Sequence, residues 1–337
     1  EELGANFLNT LTDVILTFTT VYFVIDGKIT LGMMIAVQYI IGQLRSPLYE
    51  IIRFISSYQM AYISFLRINE SSNTPDEQNE EIITQRELPK NKNLVLHHVN
   101  YKYANSSQNV LNNISLVIPE GKVTAIVGAS GSGKTTLLKI LTRLYKPNSG
   151  DFYIGNVNMN SLDVNVWRNK IGVVNQGVDA FKETIKENII LGSAFDSEKM
   201  NNILEKVNLL KDINILPSGI NTMMGDNGRG LSEGQKQRLM IARALYKNPE
   251  FLFLDEATNS LDSINENILV QNLNEEFQSK TVVIIAHRLA TIKKAENIVV
   301  MHAGSIVEMG SEEQLLNKRG YYYELFKNQM LLESNEK

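Results

Sequence analysis

The chain has 337 residues, a formal net charge of −4 and no cysteine. The length suggests about two domains, and the acidic balance excludes the broad positive field that binds nucleic acid, so we expect no nucleic-acid partner. The lack of cysteine excludes disulfides, iron–sulfur clusters and thiolate zinc sites, and it fits a reducing compartment. Because the chain opens with Glu1 and has no basic signal-peptide start, we expect it to be a piece of a longer protein.

Two mostly apolar segments open the chain. Residues 7–25 form one run, and after a short turn a second begins at Leu31 and keeps a helical periodicity to Ile68. A bilayer core requires about 20 mostly apolar residues, and the second segment would form a helix of roughly 57 Å that crosses the membrane and projects into the cytosol. We therefore predict that residues 1–70 are the last two helices of a transmembrane domain. A soluble helical hairpin is the alternative.

Charges predict how this helical segment is oriented. Arg45, Arg53 and Arg67 lie towards one end of the second helix, whereas the turn carries only Lys28. The arginine end is therefore predicted on the cytoplasmic side. Asp13 and Arg45 are ionisable groups in or near the hydrocarbon layer, where a role in the substrate path is one interpretation and, for Arg45, anchoring at the interface is another.

The composition changes twice further along the chain. Residues 71–92 are polar and acidic and are predicted to be a linker. From Leu94 onward, short β-branched runs alternate with amphipathic helices, which indicates an α/β domain with a largely parallel sheet over residues 93–337. About 240 residues are enough to bury an independent core.

Residues 123–138 contain a strand-like run, a glycine-rich loop and the start of a helix. The loop and helix start have the spacing of a P-loop. Gly131 and Gly133 allow the backbone N–H groups to point at phosphate oxygens, Lys134 can reach the β- and γ-phosphates, and the Thr135 hydroxyl can bind Mg²⁺. A glycine-rich turn with a solvated lysine is the alternative. The predicted ATP-binding residues of this loop are Gly128, Ala129, Ser130, Gly131, Ser132, Gly133, Lys134, Thr135 and Thr136.

An acid pair follows a predicted buried strand over residues 251–254. Asp255, at the end of a strand beside a P-loop, is in the position of the second Mg²⁺ anchor. Glu256 is placed to polarise a water molecule for attack on the γ-phosphate. Two surface acids without such roles are the alternative.

Residues 231–238 read LSEGQKQR and precede a helix-like segment. Together with the P-loop and the acid pair, they resemble the signature of the ABC ATPase family, with Glu233 where the family most often has glycine. The resemblance implies an α/β P-loop NTPase domain with a helical subdomain, preceded by an all-α transmembrane helical segment. It also implies ATP and Mg²⁺ as cofactors. Ser232, Gly234 and Gln235 would contact the ATP held by an opposite subunit.

Further positions match the family in the same order. Gln176 matches the Q-loop glutamine, which links Mg²⁺ and the attacking water to the helical subdomain, and Asp262 closes a D-loop sequence. His287 matches the switch histidine, and Tyr103 matches the aromatic residue that stacks on adenine, with Tyr101 as the fallback. The implied catalytic residues are Glu256, His287 and Gln176, and the implied Mg²⁺ ligands are Thr135, Gln176 and Asp255.

The N-terminal part resembles ABC exporters of the half-transporter type. Residues 26–69 look like the last loop and last transmembrane helix, and residues 222–228 resemble the loop that touches the membrane domain. More narrowly, residues 31–44, 61–70 and 121–136 are similar to bacterial peptidase-containing exporters of bacteriocin-like peptides.

This resemblance implies an ATPase coupled to peptide export across the cytoplasmic (inner) membrane, with the nucleotide-binding domain in the cytoplasm. The implied partners are a second copy of the chain or a paralogous half-transporter, together with the lipid membrane and a peptide cargo. A multidrug or lipid exporter of the same architecture stays open, as does, more remotely, a soluble ABC ATPase outside transport. A degenerate regulatory module is disfavoured because Glu256 and His287 are both present. The sequence specifies neither the cargo nor whether a peptidase domain precedes this piece.

Overall fold

The computed structural model describes residues 2–72, 77–78, 82–104, 106–177, 180–225, 230–261, 263–286, 292–293 and 295–327. The chain divides into two compact units, Glu1–Glu77 and Gln78–Lys337. The domain boundaries predicted from the sequence, at residues 70 and 92, stay a prediction.

The first unit is all-α, as predicted. Helix α1 (Glu2–Ile25) and helix α2 (Leu31–Ser72) are joined by a short turn. Polar side chains link them: Arg45 makes a bidentate ion pair with Asp13, and the Gln38 amide donates to the Thr17 hydroxyl at 3.3 Å. Many large apolar side chains of both helices are exposed.

The prediction that these helices cross a membrane stays a prediction. Within the part of the chain that the structure describes, no helix combines the length and the apolarity that crossing a bilayer requires.

The second unit contains two sheets. A four-stranded antiparallel sheet has the order β2-β1-β4-β5, and a six-stranded sheet has the order β10-β9-β3-β8-β7-β6. In the larger sheet β9, β3, β8, β7 and β6 are parallel, and β10 is antiparallel to β9. The predicted α/β domain with a largely parallel sheet is confirmed. The strands are β1 (Leu94–Tyr101), β2 (Leu111–Ile118), β3 (Val123–Gly128), β4 (Ser149–Ile154), β5 (Val157–Asn158), β6 (Ile171–Val174), β7 (Phe251–Asp255), β8 (Thr281–Ile285), β9 (Asn297–His302) and β10 (Ser305–Gly310).

Helices cover the sheets and form a helical region between β6 and β7. Strands β3, β7 and β8 are buried along their whole length, which explains their continuous apolar sequences. One core lies between the sheets and includes Trp167, which is fully buried against Phe251; a second joins the large sheet to the helical region. The helices are α3 (Lys134–Leu141), α4 (Val164–Lys170), α5 (Ile185–Ile190), α6 (Ser197–Lys206), α7 (Leu210–Ile215), α8 (Glu233–Tyr246), α9 (Ser263–Asn272), α10 (Asn274–Gln278) and α11 (Glu312–Lys318).

One residue of the predicted linker is held firmly on the second unit. The Gln78 side chain donates to the carbonyls of Asn160 (3.0 Å) and Leu162 (2.8 Å) and accepts from the Val164 N–H (2.9 Å). A parallel bridge between Gln85 and Leu162 lies beside it. This segment therefore pairs with the turn before α4.

Candidate nucleotide-binding site

The carboxyl ends of the parallel strands form one edge of the large sheet. Strand β3 ends at Gly128, β7 at Asp255 and β6 at Val174. In open α/β sheets this edge is where ligands bind. The chain therefore places the glycine-rich loop, the acid pair and the segment of Gln176 at the same edge.

The glycine-rich loop has a backbone that requires glycine. Gly133 caps α3 with a left-handed φ of +100°. A Cβ at this position would lie 2.9 Å from Leu111 Cδ2 and 3.0 Å from the Val110 carbonyl oxygen. The helix start therefore depends on both the conformation and the small size of glycine, as the P-loop spacing predicts.

Replacing Gly133 by alanine is expected to lower the free energy of unfolding by about 2–5 kcal/mol. The left-handed conformation costs a residue with a Cβ about 1–2 kcal/mol, and overpacking adds about 1–3 kcal/mol. Gly131→Ala is the matched control, because Gly131 also has a positive φ of +76° but has no atom within 4 Å of its would-be Cβ. Urea unfolding of both variants measures the difference, and an equal loss in the two would contradict the steric argument.

Lys134 is buried at the start of α3. Its side chain is 6% exposed, and its ammonium donates to the carbonyls of Gly128 (2.8 Å) and Ala129 (3.0 Å). Burial lowers the pKa of Lys134, and the nearby charges of Glu256 and Asp255 oppose that shift. A positive charge is thus held directly against the loop.

Asp255 has an oxygen suited to a hard cation. The residue is 1% exposed, burial raises its pKa, and Thr135 Oγ1 donates to its Oδ1 at 3.4 Å. Its Oδ2 is buried and has no hydrogen-bond partner among the described residues. In that part of the chain, no group of three acidic, histidine or cysteine side chains could hold a metal alone. Mg²⁺, however, needs only one or two protein oxygens beside phosphates and water, so these residues fit it.

The Glu256 carboxylate is held by two amide side chains. Its Oε2 accepts from Gln176 Nε2 at 2.8 Å and from Asn259 Nδ2 at 2.6 Å. The Glu256 backbone is left-handed, with a φ of +52°, a conformation that costs about 1–3 kcal/mol and is common at functional sites. The sequence places Asn259 only at the start of the D-loop sequence and does not predict its contact with Glu256. The available signal was an amide side chain three positions after Glu256, the second acid of the pair.

Lys134, Gln176, Glu256 and Asn259 line one cavity of about 410 Å³. Its volume lies in the range of small-molecule and cofactor sites. The structure therefore brings together most of the predicted P-loop residues with Gln176 and Glu256. The lining residues are Val110, Ser130, Gly131, Gly133, Lys134, Thr135, Thr136, Gln176, Glu256 and Asn259.

Tyr103 contacts Thr136 of α3, one of the residues that line this cavity. Its hydroxyl is 3.0 Å from Thr136 Oγ1, and its side chain is 37% exposed. Tyr101 meets it edge-on, with ring centroids 5.3 Å apart. Of the two predicted aromatic residues, Tyr103 thus contacts α3 directly, and Tyr101 packs against Tyr103.

The signature residues form the start of α8. Ser232 caps the helix in a reciprocal capping box, in which Ser232 Oγ accepts from the Gln235 N–H and Gln235 Oε1 accepts from the Ser232 N–H. Ser232, Gly234 and Gln235 are not among the residues that line the cavity. His287 and Asp262 lie outside the described residues. So do residues 226–228 of the loop predicted to touch the membrane domain.

Fold and site together define a P-loop nucleotide-binding domain with a capped signature helix. Residues 111–259 match the family model described as ABC transporter. The α/β unit is an ABC transporter ATP-binding domain.

The chain is similar to export and translocation ATP-binding proteins. It is 38% identical over 303 residues to the leukotoxin export ATP-binding protein LtxB of Aggregatibacter actinomycetemcomitans, covering 89% of this chain and 43% of LtxB. It is 38% identical over 308 residues to the exotoxin translocation ATP-binding protein PaxB of Pasteurella aerogenes, covering 90% of this chain and 43% of PaxB. The chain therefore spans less than half the length of these relatives.

A solved structure shares the architecture. The chain is similar to a bacterial Atm1-family ABC exporter with ATP bound, with a TM-score of 0.76 and 28% sequence identity. The similarity covers 97% of this chain and 59% of that exporter. It supports the P-loop NTPase fold with its preceding helical segment.

Proposed function

We propose that the whole protein is an ABC exporter that hydrolyses ATP to move a cargo out across the cytoplasmic membrane. The observation that carries this proposal is the single cavity shared by Lys134, Thr135, Gln176 and Glu256. It joins a phosphate-binding loop to a carboxylate that can act on water. The exporter relatives support the direction of transport.

Each residue of the cavity has a role in the proposed hydrolysis. The loop N–H groups and the buried Lys134 ammonium neutralise charge on the β- and γ-phosphates. Glu256, oriented by Gln176 and Asn259, accepts a proton from the attacking water. His287 is proposed to contact the γ-phosphate. Phosphoryl transfer to water requires mainly positioning and charge stabilisation, so no covalent enzyme intermediate is needed.

Mg²⁺ is proposed as the metal cofactor. Asp255, Thr135 and Gln176 would hold it. The Oδ2 of Asp255, which has no hydrogen-bond partner among the described residues, supports this assignment. When bound, the ion supplies charge neutralisation to the phosphate oxygens.

Two copies of the chain are proposed to close around ATP. Ser232, Gly234 and Gln235 would contact ATP held by the other copy. The start of α8 supports this role, because a helix N-terminus presents N–H groups and the positive end of its dipole to phosphate. ATP would then shift the population towards the closed dimer. A paralogous half-transporter is the alternative partner.

The proposed cargo is a peptide or a toxin-like molecule, and the proposed location is the cytoplasmic (inner) membrane. The printed names of the relatives concern leukotoxin export and exotoxin translocation. The exposed apolar side chains of α1 and α2 support burial against lipid or further protein. A multidrug or lipid exporter of the same architecture is the second candidate.

The cargo class is tested on the full-length protein in liposomes. We expect its ATP hydrolysis to rise when a peptide with a double-glycine leader is added, and the rise to be absent in Glu256→Gln. A rate of ATP hydrolysis that is unchanged by the leader peptide but changes with lipids or hydrophobic drugs would contradict the peptide assignment. It would leave the ATPase assignment in place.

A further inference from the structure

Three tyrosine rings form a cluster beside the nucleotide cavity. Tyr101 and Tyr145 are stacked, with centroids 5.2 Å apart and an interplanar angle of 6°. Tyr103 is nearly perpendicular to both, at 5.3 Å and 84° from Tyr101 and at 5.8 Å and 90° from Tyr145. Such edge-to-face and stacked pairs lie within the favourable range for aromatic rings. We define Tyr101, Tyr103 and Tyr145 as the tyrosine cluster.

The backbone around Tyr145 explains why it reaches this cluster. Tyr145 follows α3, and its N–H donates to the Lys139 carbonyl at 3.1 Å. The turn is then tied to β1, because the Asn148 N–H donates to the Asn100 carbonyl at 3.0 Å and Asn148 Oδ1 accepts from the Lys102 N–H at 2.7 Å. Tyr145 is thus held by α3 on one side and by β1 on the other.

This packing covers Tyr101 and leaves part of Tyr103 exposed. One face of Tyr101 is covered by Tyr145, and burial raises the pKa of Tyr101. Tyr103 keeps its exposed surface, and it is held at three points: its hydroxyl contacts Thr136 on α3, and its ring meets both Tyr101 and Tyr145. Tyr145 therefore helps to orient Tyr103 both directly, by its own ring contact, and through Tyr101, on which it stacks.

We propose that Tyr145 is a positioning residue for the nucleotide base. It fixes the Tyr103 ring so that Tyr103 presents an aromatic surface to the adenine of ATP, while the P-loop holds the phosphates. The inference rests on the proposed function, since it requires ATP at this cavity. In this proposal Tyr145 does not contact the base itself, and it affects base binding only by orienting Tyr103.

The experiment compares ATP with inorganic tripolyphosphate, which has the phosphates but no base. Calorimetric titration of both into Tyr145→Leu is expected to show ATP affinity reduced about tenfold, within the range that one base–aromatic stack contributes. Tripolyphosphate affinity should stay unchanged. Tyr145→Phe keeps the ring and should restore ATP affinity to within about twofold of the wild type. Thermal unfolding of each variant checks the fold.

Tyr153→Leu is the matched control. Tyr153 is also partly buried and also makes an edge contact, with His97 at 5.8 Å, but on β4 outside the tyrosine cluster. Its ATP affinity should equal that of the wild type.

Other outcomes would overturn the inference. Unchanged ATP affinity in Tyr145→Leu would contradict it, and so would an equal loss for ATP and tripolyphosphate, which would indicate general damage to the P-loop. A Tyr145→Phe variant as weak as Tyr145→Leu would also contradict it, because the ring is retained. If the wild-type chain bound neither ligand, the proposed function itself would fail, and this inference with it.

Discussion

Replacing Glu256 by glutamine is expected to lower the rate of ATP hydrolysis by about 10²–10⁴-fold, the usual contribution of a general base, while ATP binding stays intact. Glutamine keeps the size of the side chain, and its amide oxygen can still accept from Gln176 and Asn259. It cannot accept the proton of the attacking water. Phosphate release measures the rate, and calorimetry measures the binding.

Glu296→Gln is the matched control for this variant. Glu296 accepts a hydrogen bond from the Val123 N–H at 2.8 Å, at the amino end of β3 and so at the opposite edge of the sheet from the cavity. We expect the wild-type rate. Unchanged hydrolysis in Glu256→Gln would exclude Glu256 as the base. Lost ATP binding in the same variant would indicate a structural role instead.

Lys134→Ala is expected to weaken ATP binding by about 2–5 kcal/mol, the usual cost of removing one partner of a buried charged pair. That is roughly a 30- to several-thousand-fold increase in Kd. The large effect follows from burial: Lys134 is only 6% exposed, so water screens its charge weakly. Calorimetric titration with ATP measures it.

The control for this prediction is Lys170→Ala. Lys170 is half-exposed, pairs with Glu250 at 2.7 Å and precedes β6, so it lies at the amino edge of the sheet. Its ATP affinity should be unchanged. Because Lys134 also holds two carbonyls, Lys134→Met and thermal unfolding separate lost stability from lost binding. Wild-type ATP affinity in a folded Lys134 variant would contradict the assignment of the phosphate site.

The features of the fold that could be predicted from the sequence are those determined by residues close to one another in the chain. The P-loop spacing predicts the glycine-capped start of α3, since a helix that begins at Lys134 after Gly133 requires that residue's left-handed backbone. The apolar run of β7 predicts a buried strand that ends at Asp255, and the structure has both. Parallel strands then place Gly128 and Asp255 at one edge.

The parts that sequence reasoning missed arise from contacts between distant segments. Tyr145 meets Tyr101 across 44 positions, and Gln78 bonds to a turn more than 80 residues away. Neither contact is predicted by a periodicity or a motif in the sequence. Asn259 is close to Glu256 in sequence, but its bond depends on the left-handed backbone of Glu256, which no pattern in the residues reveals.

The measurement that tests the central claim most directly is phosphate release from ATP by the full chain in a lipid environment, with and without Mg²⁺. We predict release that requires Mg²⁺ and that falls to background in Glu256→Gln. ATP binding without phosphate release by the wild-type chain would contradict the account. The domain would then be a nucleotide-binding regulatory module and not an ATPase that drives export.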